Sequence, residues 1–285
     1  MVDLMYYFDQ LSKDRVGTKL EKNVPKRAPF SYLGGKFKSL KNILPHLPMR
    51  KGYIEVFGGS GVVLLNRPKT PLDVFNDRNS GVAAFYKCMH DNEKYEVLKL
   101  RIEETIHSRE FWQWCHDTWE STDSDVDRAF KWFYTVRFSF GHQGRNFARV
   151  TKGNNVESGR LLKSIPLLKY AHDRFQNVIV ENRDCMLLLE EYDNPNHVFY
   201  LDPPYLEYWH GAYKHDMRGQ EHKLLLDYVS HMKAYVAISS YDNEFYDTYK
   251  WDDKITWEGS QCTDPGHVRG RMDVKEALYI KKERS

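Results

Sequence analysis

The feature that most constrains the fold of this 285-residue chain is an apolar run that stops at an acid and two prolines. The run Val198-Phe199-Tyr200-Leu201 leads directly into Asp202-Pro203-Pro204-Tyr205. A short apolar run bounded by turn residues predicts a buried strand. Open α/β sheets bind their ligands beyond the carboxyl ends of the strands. We therefore expect a strand at residues 198–201 and a ligand site directly after it.

The four residues that follow this strand carry the groups needed to bind an exocyclic amine of a nucleobase. The Asp202 carboxylate can accept one hydrogen bond from the amine, and a proline carbonyl can accept the second. Two acceptors draw the lone pair back to the nitrogen, which makes the amine a better nucleophile. Tyr205 offers a flat face for an extruded base. The alternative is an ordinary turn, because Asp-Pro and Pro-Pro are common in turns.

A glycine-rich turn follows an apolar strand earlier in the chain. Residues 53–56 predict the strand, and Phe57-Gly58-Gly59-Ser60-Gly61 follows it. Glycine permits a tight turn and lets a ligand approach the backbone closely. The turn has neither the dinucleotide fingerprint nor the Lys-Ser/Thr of a P-loop, which favours a nucleoside cofactor without a phosphate chain. The alternative is again a structural strand, turn and helix.

Two further segments complete the pattern. Residues 72–77 predict a strand that ends in Asp77, and an acid at this position is placed to bind ribose hydroxyls. Residues 30–37, Phe-Ser-Tyr-Leu-Gly-Gly-Lys-Phe, precede both the glycine-rich turn and this strand.

In the order of these segments the chain resembles the DNA adenine-N6 methyltransferases of the Dam (D12, α-class) family. That family has a Gly-Gly-Lys segment, Phe-x-Gly-x-Gly, an Asn-Asp strand end, a recognition region and Asp-Pro-Pro-Tyr, in that order. All five occur here, within residues 29–282. Family-like strands are also found at residues 178–184 and 236–241, where Ser240 replaces the usual asparagine.

The resemblance implies an α/β, Rossmann-like methyltransferase fold with a mostly parallel, seven-stranded sheet. It places the catalytic domain at residues 29–80 and 171–285, an inserted and mainly helical target-recognition domain at 81–170, and a basic lead-in at 1–28. The implied reaction transfers a methyl group from S-adenosylmethionine to N6 of a flipped adenine at a specific site in double-stranded DNA. We expect no metal and no membrane association, and action as a monomer or dimer on DNA in a bacterial or phage-infected cytoplasm.

The resemblance also assigns roles to residues. The catalytic set is Asp202, Pro203, Pro204 and Tyr205. The cofactor-binding set is Tyr32, Lys36, Phe57, Gly58, Gly59, Gly61, Asp77, Asp184 and Asp202. The long aromatic segment from Glu207 to Gly219 is expected to be a loop that closes over the substrate.

The charge distribution indicates where DNA binds. Residues 91–127 carry eleven acids and four Lys or Arg, a local charge of −7, whereas residues 128–174 carry ten Lys or Arg and two acids, a local charge of +8. In the acidic half, aromatic residues at helical spacing predict a packed helix face. In the basic half, Gly-containing loops with cations suit phosphate contacts and base reading, although a solvated surface is the alternative. The expected DNA-binding set is Arg137, His142, Arg145, Asn146, Arg149 and Lys152.

Two other functions compete with adenine methylation. One is methylation of cytosine N4 or of RNA, since a related motif serves any exocyclic amine. The other is a DNA-binding protein that keeps the fold without activity.

A helix is expected to begin at Ser164-Ile165-Pro166, with Pro166 in the first turn, and to run through Arg174.

Overall fold

The computed structural model describes residues 26–148, 156–206, 217–262 and 271–284. Within these ranges seven strands form one sheet, in the order β3-β2-β1-β4-β5-β7-β6. The strands are β1 Gly52–Glu55, β2 Leu72–Asn76, β3 Val178–Glu181, β4 His197–Leu201, β5 Tyr235–Tyr241, β6 Asp253–Cys262 and β7 Arg271–Lys281. Strands β1 to β5 pair in parallel, and β7 lies antiparallel between β5 and β6. The expected mostly parallel, seven-stranded sheet is confirmed.

Strand β1 lies between β2 and β4, and the order of the strands along the chain changes direction between β1 and β4. In register, Glu55 pairs with Phe75 on one side and with Tyr200 on the other. The carboxyl ends of these three strands therefore meet at one edge of the sheet. This is the position at which open α/β sheets bind ligands.

Helices cover both faces of the sheet. They are α1 Leu40–Ile43, α2 Val62–Asn66, α3 Ser80–His90, α4 Asn92–Glu103, α5 Arg109–Thr118, α6 Asp125–Arg137, α7 Val156–Phe175, α8 Cys185–Tyr192, α9 Gly219–His231 and α10 Glu244–Asp247. None of the helices that the structure describes is long and apolar enough to cross a bilayer.

Successive strand residues contribute to two separate cores, because side chains alternate between the faces of a strand. Tyr53 and Phe75 pack with helices α3, α4, α6 and α7 on one face. Ile54, Val74 and Phe199 pack with α8 and α9 on the other face. Each core therefore holds one layer of helices against one face of the sheet.

The acidic half of the inserted region forms helices α4 and α5 and the first residues of α6. Trp112 and Trp119 are buried there and Phe111 is partly buried, which confirms a packed face. Trp114 is exposed, contrary to the prediction. The Trp112 indole donates a 2.9 Å hydrogen bond to the Thr135 carbonyl and so joins α5 to α6.

The helix predicted to begin at residues 164–166 begins earlier, at Val156, and the prediction of its start was wrong. Pro166 lies inside α7, where it removes one backbone hydrogen bond. Leu161 and Leu168 are buried on either side of it, so packing holds both halves of the helix in place. The expected domain boundary after residue 170 falls within this continuous helix.

Candidate active site

A cleft of about 290 Å³ lies at the carboxyl ends of β1, β2 and β4. Its walls come from the glycine-rich turn, the end of β2, the start of α8 and the turn after β4. Among its lining residues are Tyr32, Lys36, Phe57, Gly58, Gly59, Asp77, Asp184, Asp202 and Pro204. The cleft thus brings together most of the residues expected to bind the cofactor.

The turn after β1 is shaped by close packing beneath it. A Cβ at Gly58 would overlap the Phe75 ring. Gly59 and Gly61 have φ of +50° and +66°, in the region that favours glycine. A Cβ at Gly61 would also lie 2.8 Å from the Tyr86 hydroxyl. The three glycines keep the backbone of the turn bare, although Gly61 itself does not line the cleft.

Asp77 fastens this turn to the end of β2. Its Oδ2 accepts a 2.7 Å hydrogen bond from the Gly59 amide, and its Oδ1 accepts one of 2.7 Å from the Asn79 amide. Burial raises the pKa of Asp77 to about 6, against the lowering effect of these two bonds. A carboxylate has about four lone-pair sites, so both oxygens keep acceptor capacity toward the cleft.

Tyr32 and Asp184 both line the cleft. A Cβ at Gly59 would lie 3.0 Å from the Tyr32 ring, so the ring covers the turn closely. Burial, followed by the nearby Asp77 charge, raises the pKa of Tyr32 above its usual value. Asp184 caps α8 by accepting a 3.0 Å hydrogen bond from the Met186 amide.

Asp202 projects from the end of β4 toward Lys36. The Lys36 Nζ lies 2.9 Å from Asp202 Oδ1 and donates a 2.7 Å hydrogen bond to the Gly34 carbonyl. It also lies 4.8 Å from the centre of the Tyr205 ring. Burial raises the pKa of Asp202, and the Lys36 charge opposes this shift.

The rest of the turn after β4 is held from below. The Pro204 carbonyl lies 2.9 Å from His222 Nε2, and Pro203 is buried. The Tyr205 ring packs edge-on against Tyr241 at the end of β5, with 4.7 Å between centroids. Asp202 and Tyr205 are therefore presented from a turn with fixed contacts on two sides.

A second and larger cleft, of about 1210 Å³, adjoins the first. Residues 32–36 line both clefts. Tyr205 and Tyr241 lie in its wall, together with Arg137 and His142 from the inserted region. The turn after β4 thus reaches a small cleft with Asp202 and a large cleft with Tyr205.

Residues 32–259 of this chain match the sequence pattern of the family of D12 class N6 adenine-specific DNA methyltransferases. The chain belongs to this family. It is similar to "Modification methylase StsI" of Streptococcus sanguinis, at 26% identity over 250 residues, and to "Type II methyltransferase M.FokI" of Planomicrobium okeanokoites, at 26% over 238 residues. Each alignment covers 75% of this chain and 35% of the relative. The chain therefore spans about a third of the length of these curated relatives.

In this D12 family member the residues expected to bind DNA are not all in one place. Arg137 is buried at the end of α6, and His142 has a φ of +58°; both line the large cleft. Arg145 and Asn146 are exposed in a turn closed by a 2.7 Å hydrogen bond from the Phe140 amide to the Asn146 carbonyl. Arg149 and Lys152 lie outside the described residues, as does segment 207–216 of the expected closing loop.

Sequence reasoning missed Glu55, which lines the small cleft at the end of β1. It is buried and accepts a 2.7 Å hydrogen bond from the Tyr53 hydroxyl. Burial raises the pKa of Glu55 to about 8, and the Asp202 charge adds to the rise. The signal that could have revealed Glu55 is its position at the end of a strand, just before the glycine-rich turn. An acid at that position lies at the same edge of the sheet as Asp77.

Proposed function

We propose that the protein transfers a methyl group from S-adenosylmethionine to N6 of a flipped adenine at a specific site in double-stranded DNA. The observation that supports this most is the turn from Asp202 to Tyr205, which borders two clefts with a shared wall at residues 32–36. One cleft has the size and bare backbone for a nucleoside cofactor, and the other has room for a nucleotide and its flanking DNA.

The small cleft suits S-adenosylmethionine in its donor groups. Asp77 would accept hydrogen bonds from the ribose hydroxyls, and the backbone of residues 58–61 would lie against the ribose and methionine parts. Tyr32, Lys36, Phe57 and Asp184 would enclose the remainder. When bound, S-adenosylmethionine supplies a methyl group on a positively charged sulfur that leaves readily. The chain's task is then to position the two reactants in line.

Asp202 and the Pro203 carbonyl would accept the two hydrogens of the adenine amine, with Tyr205 stacked on the base. Among the described residues, we find no donor bonded to the Pro203 carbonyl, whereas the Pro204 carbonyl is already bonded to His222. As the new carbon–nitrogen bond forms, the amine must release one proton. Asp202 would accept this proton, and its raised pKa favours that transfer.

DNA would lie across the large cleft and the exposed turn at residues 140–147. The net positive charge of residues 128–174 supports backbone binding there. Arg137 and His142 would contact the flipped nucleotide or its neighbours, and Arg145, Asn146, Arg149 and Lys152 the flanking duplex. The names of the relatives, a modification methylase and a type II methyltransferase, support a role in DNA modification within a restriction-modification system. The location that we propose for this activity is a bacterial or phage-infected cytoplasm.

The test is the identity of the modified base. Purified protein is incubated with S-adenosylmethionine and, in separate reactions, with unmethylated duplex DNA or with RNA, and the nucleosides of each digest are identified by mass spectrometry. We expect N6-methyladenine with the wild type and none with Asp202→Ala. N4-methylcytosine, or methylation of RNA alone, would replace the adenine assignment with the first competing function. No modified base, together with intact DNA binding, would indicate a binding protein that lacks activity.

A further inference from the structure

A chain of buried hydrogen bonds runs beneath the turn after β4. His222, in α9, is fully buried; its Nε2 lies 2.9 Å from the Pro204 carbonyl oxygen and its Nδ1 lies 3.0 Å from the Tyr246 hydroxyl. The Ser240 side chain, near the end of β5, is a further polar neighbour of the Tyr246 hydroxyl and accepts a 3.3 Å hydrogen bond from Asn243 Nδ2. We call Tyr246, His222 and the Pro204 carbonyl the His222 relay.

The partners fix the direction of both hydrogen bonds of the His222 ring. A carbonyl oxygen only accepts, so His222 Nε2 must carry a proton. Burial lowers the pKa of His222, so the ring is neutral and Nδ1 is an acceptor. Tyr246 therefore donates to Nδ1. The two ring nitrogens are satisfied in this one arrangement only.

The relay acts on the one backbone torsion that separates two neighbouring carbonyls. The Pro203 and Pro204 carbonyls differ in orientation through φ and ψ of Pro204. The pyrrolidine ring fixes φ near −65°. The hydrogen bond from His222 fixes the Pro204 carbonyl and with it ψ. His222, which is not among the lining residues of either cleft, thereby sets the direction of the Pro203 carbonyl and the starting point of Tyr205.

We propose that His222 is a positioning residue for methyl transfer, which holds the Pro203 carbonyl and Tyr205 in the geometry that receives the target amine. This rests on the proposed function, since it assigns those two groups to the target base. It differs from a general packing role in one respect. A packing role requires only that the volume of the ring be filled, whereas positioning requires a donor at the place of Nε2.

Two variants of similar polarity separate these roles. In His222→Gln the amide nitrogen reaches the place of Nε2, whereas in His222→Asn the shorter amide reaches only the place of Nδ1. We expect kcat of the Gln variant to stay within about threefold of wild type and that of the Asn variant to fall about ten- to a hundredfold, because a buried carbonyl is left without its donor. KM for S-adenosylmethionine should stay unchanged in both.

His231→Asn is the matched control, because His231 lies at the exposed end of the same helix. It should leave kcat unchanged. Tyr246→Phe is a second and milder variant that removes the donor to Nδ1 while keeping the ring in the core. It should reduce kcat by less than His222→Asn. Equal losses of kcat for His222→Gln and His222→Asn, or losses that follow the melting temperature alone, would overturn the positioning role.

The tautomer of His222 gives a readout independent of catalysis. Long-range ¹H–¹⁵N spectra of histidine-labelled wild type should contain the signals of a neutral ring protonated at Nε2 that are absent from the spectrum of His222→Asn and are thereby assigned to His222. A ring protonated at Nδ1 would overturn the relay even in an enzyme that methylates DNA. The Nε2 tautomer in a protein that methylates no DNA would instead overturn the proposed function and leave the relay standing.

Discussion

Lys36 Nζ lies 2.9 Å from Asp202 Oδ1, and both side chains are largely buried where the small cleft meets the large one. Lys36 comes from the segment before the first strand, and Asp202 from the end of β4. The ion pair therefore connects the segment before β1 to the turn after β4. A buried carboxylate needs such a partner to remain ionised.

Lys36→Met should reduce the rate of methylation by about ten- to a hundredfold, because the buried Asp202 carboxylate is left without its charged partner. Without the lysine charge the pKa of Asp202 rises further, so the carboxyl is protonated at higher pH. The acid limb of the kcat/KM profile should therefore move to higher pH. Lys69→Met, an exposed lysine outside both clefts, is the control. An unmoved acid limb would show that Lys36 does not control the ionisation of Asp202.

Tyr205 is expected to serve by its ring face. Tyr205→Phe and Tyr205→Trp should retain appreciable activity, because each keeps an aromatic plane against Tyr241. Tyr205→Ala should lose most of it, since base–aromatic stacking is worth about 1–3 kcal/mol. Single-turnover rates with saturating cofactor measure the effect. Equal rates for the Phe and Ala variants would exclude stacking as the role of Tyr205.

Cofactor affinity should depend on pH through Asp77. Its pKa of about 6 means that the carboxylate is ionised at pH 7 and largely protonated at pH 5. Protonation removes acceptor capacity, so binding of S-adenosylmethionine should weaken as pH falls from 7 to 5. Asp77→Ala should weaken binding at pH 7 by about 1.5–3 kcal/mol and abolish this pH dependence. Calorimetry without DNA tests both, and an unchanged affinity in the variant would remove Asp77 from the cofactor site.

Arg145 tests the location of the DNA surface. Arg145→Ala should either weaken all duplexes and lower the salt slope by about one unit, or cost about 1–3 kcal/mol at the cognate site alone. The first result identifies a phosphate contact, and the second a base contact. Lys169→Ala, on α7 and paired with Asp173, is the matched control and should change less. If affinity, slope and specificity all survive in Arg145→Ala, the recognition surface lies elsewhere.

The parts of the fold that the sequence predicted have strong local signals. Strands β1, β2 and β4 are short apolar runs that are followed by glycine, acid or proline. The hydrophobic pattern and the turn residues therefore mark the same strand end in each case. The start of α7 was missed because Pro166 resembles a first-turn proline. The helix also includes the residues before Pro166, and the burial of Leu161, a tertiary effect, stabilises that part.

The candidate site divides in the same way. Asp77 and Asp202 follow apolar strands, and their meeting at one sheet edge follows from parallel pairing. The contact between His222 and Pro204 has no such local signal, because it depends on how α9 packs under the sheet. A lone histidine in a helical pattern is most often satisfied within the core. His222 is satisfied in that sense, and only its partner reveals a further role.

Residues 32–36 form part of the wall of both clefts, so the two proposed ligand sites have backbone in common. A ligand that orders or shifts this segment from one side alters the surface offered on the other. By thermodynamic linkage, any gain in DNA affinity that the cofactor produces equals the gain in cofactor affinity that DNA produces. Cooperativity between the two ligands can thus arise from one short stretch of chain, without a separate allosteric site.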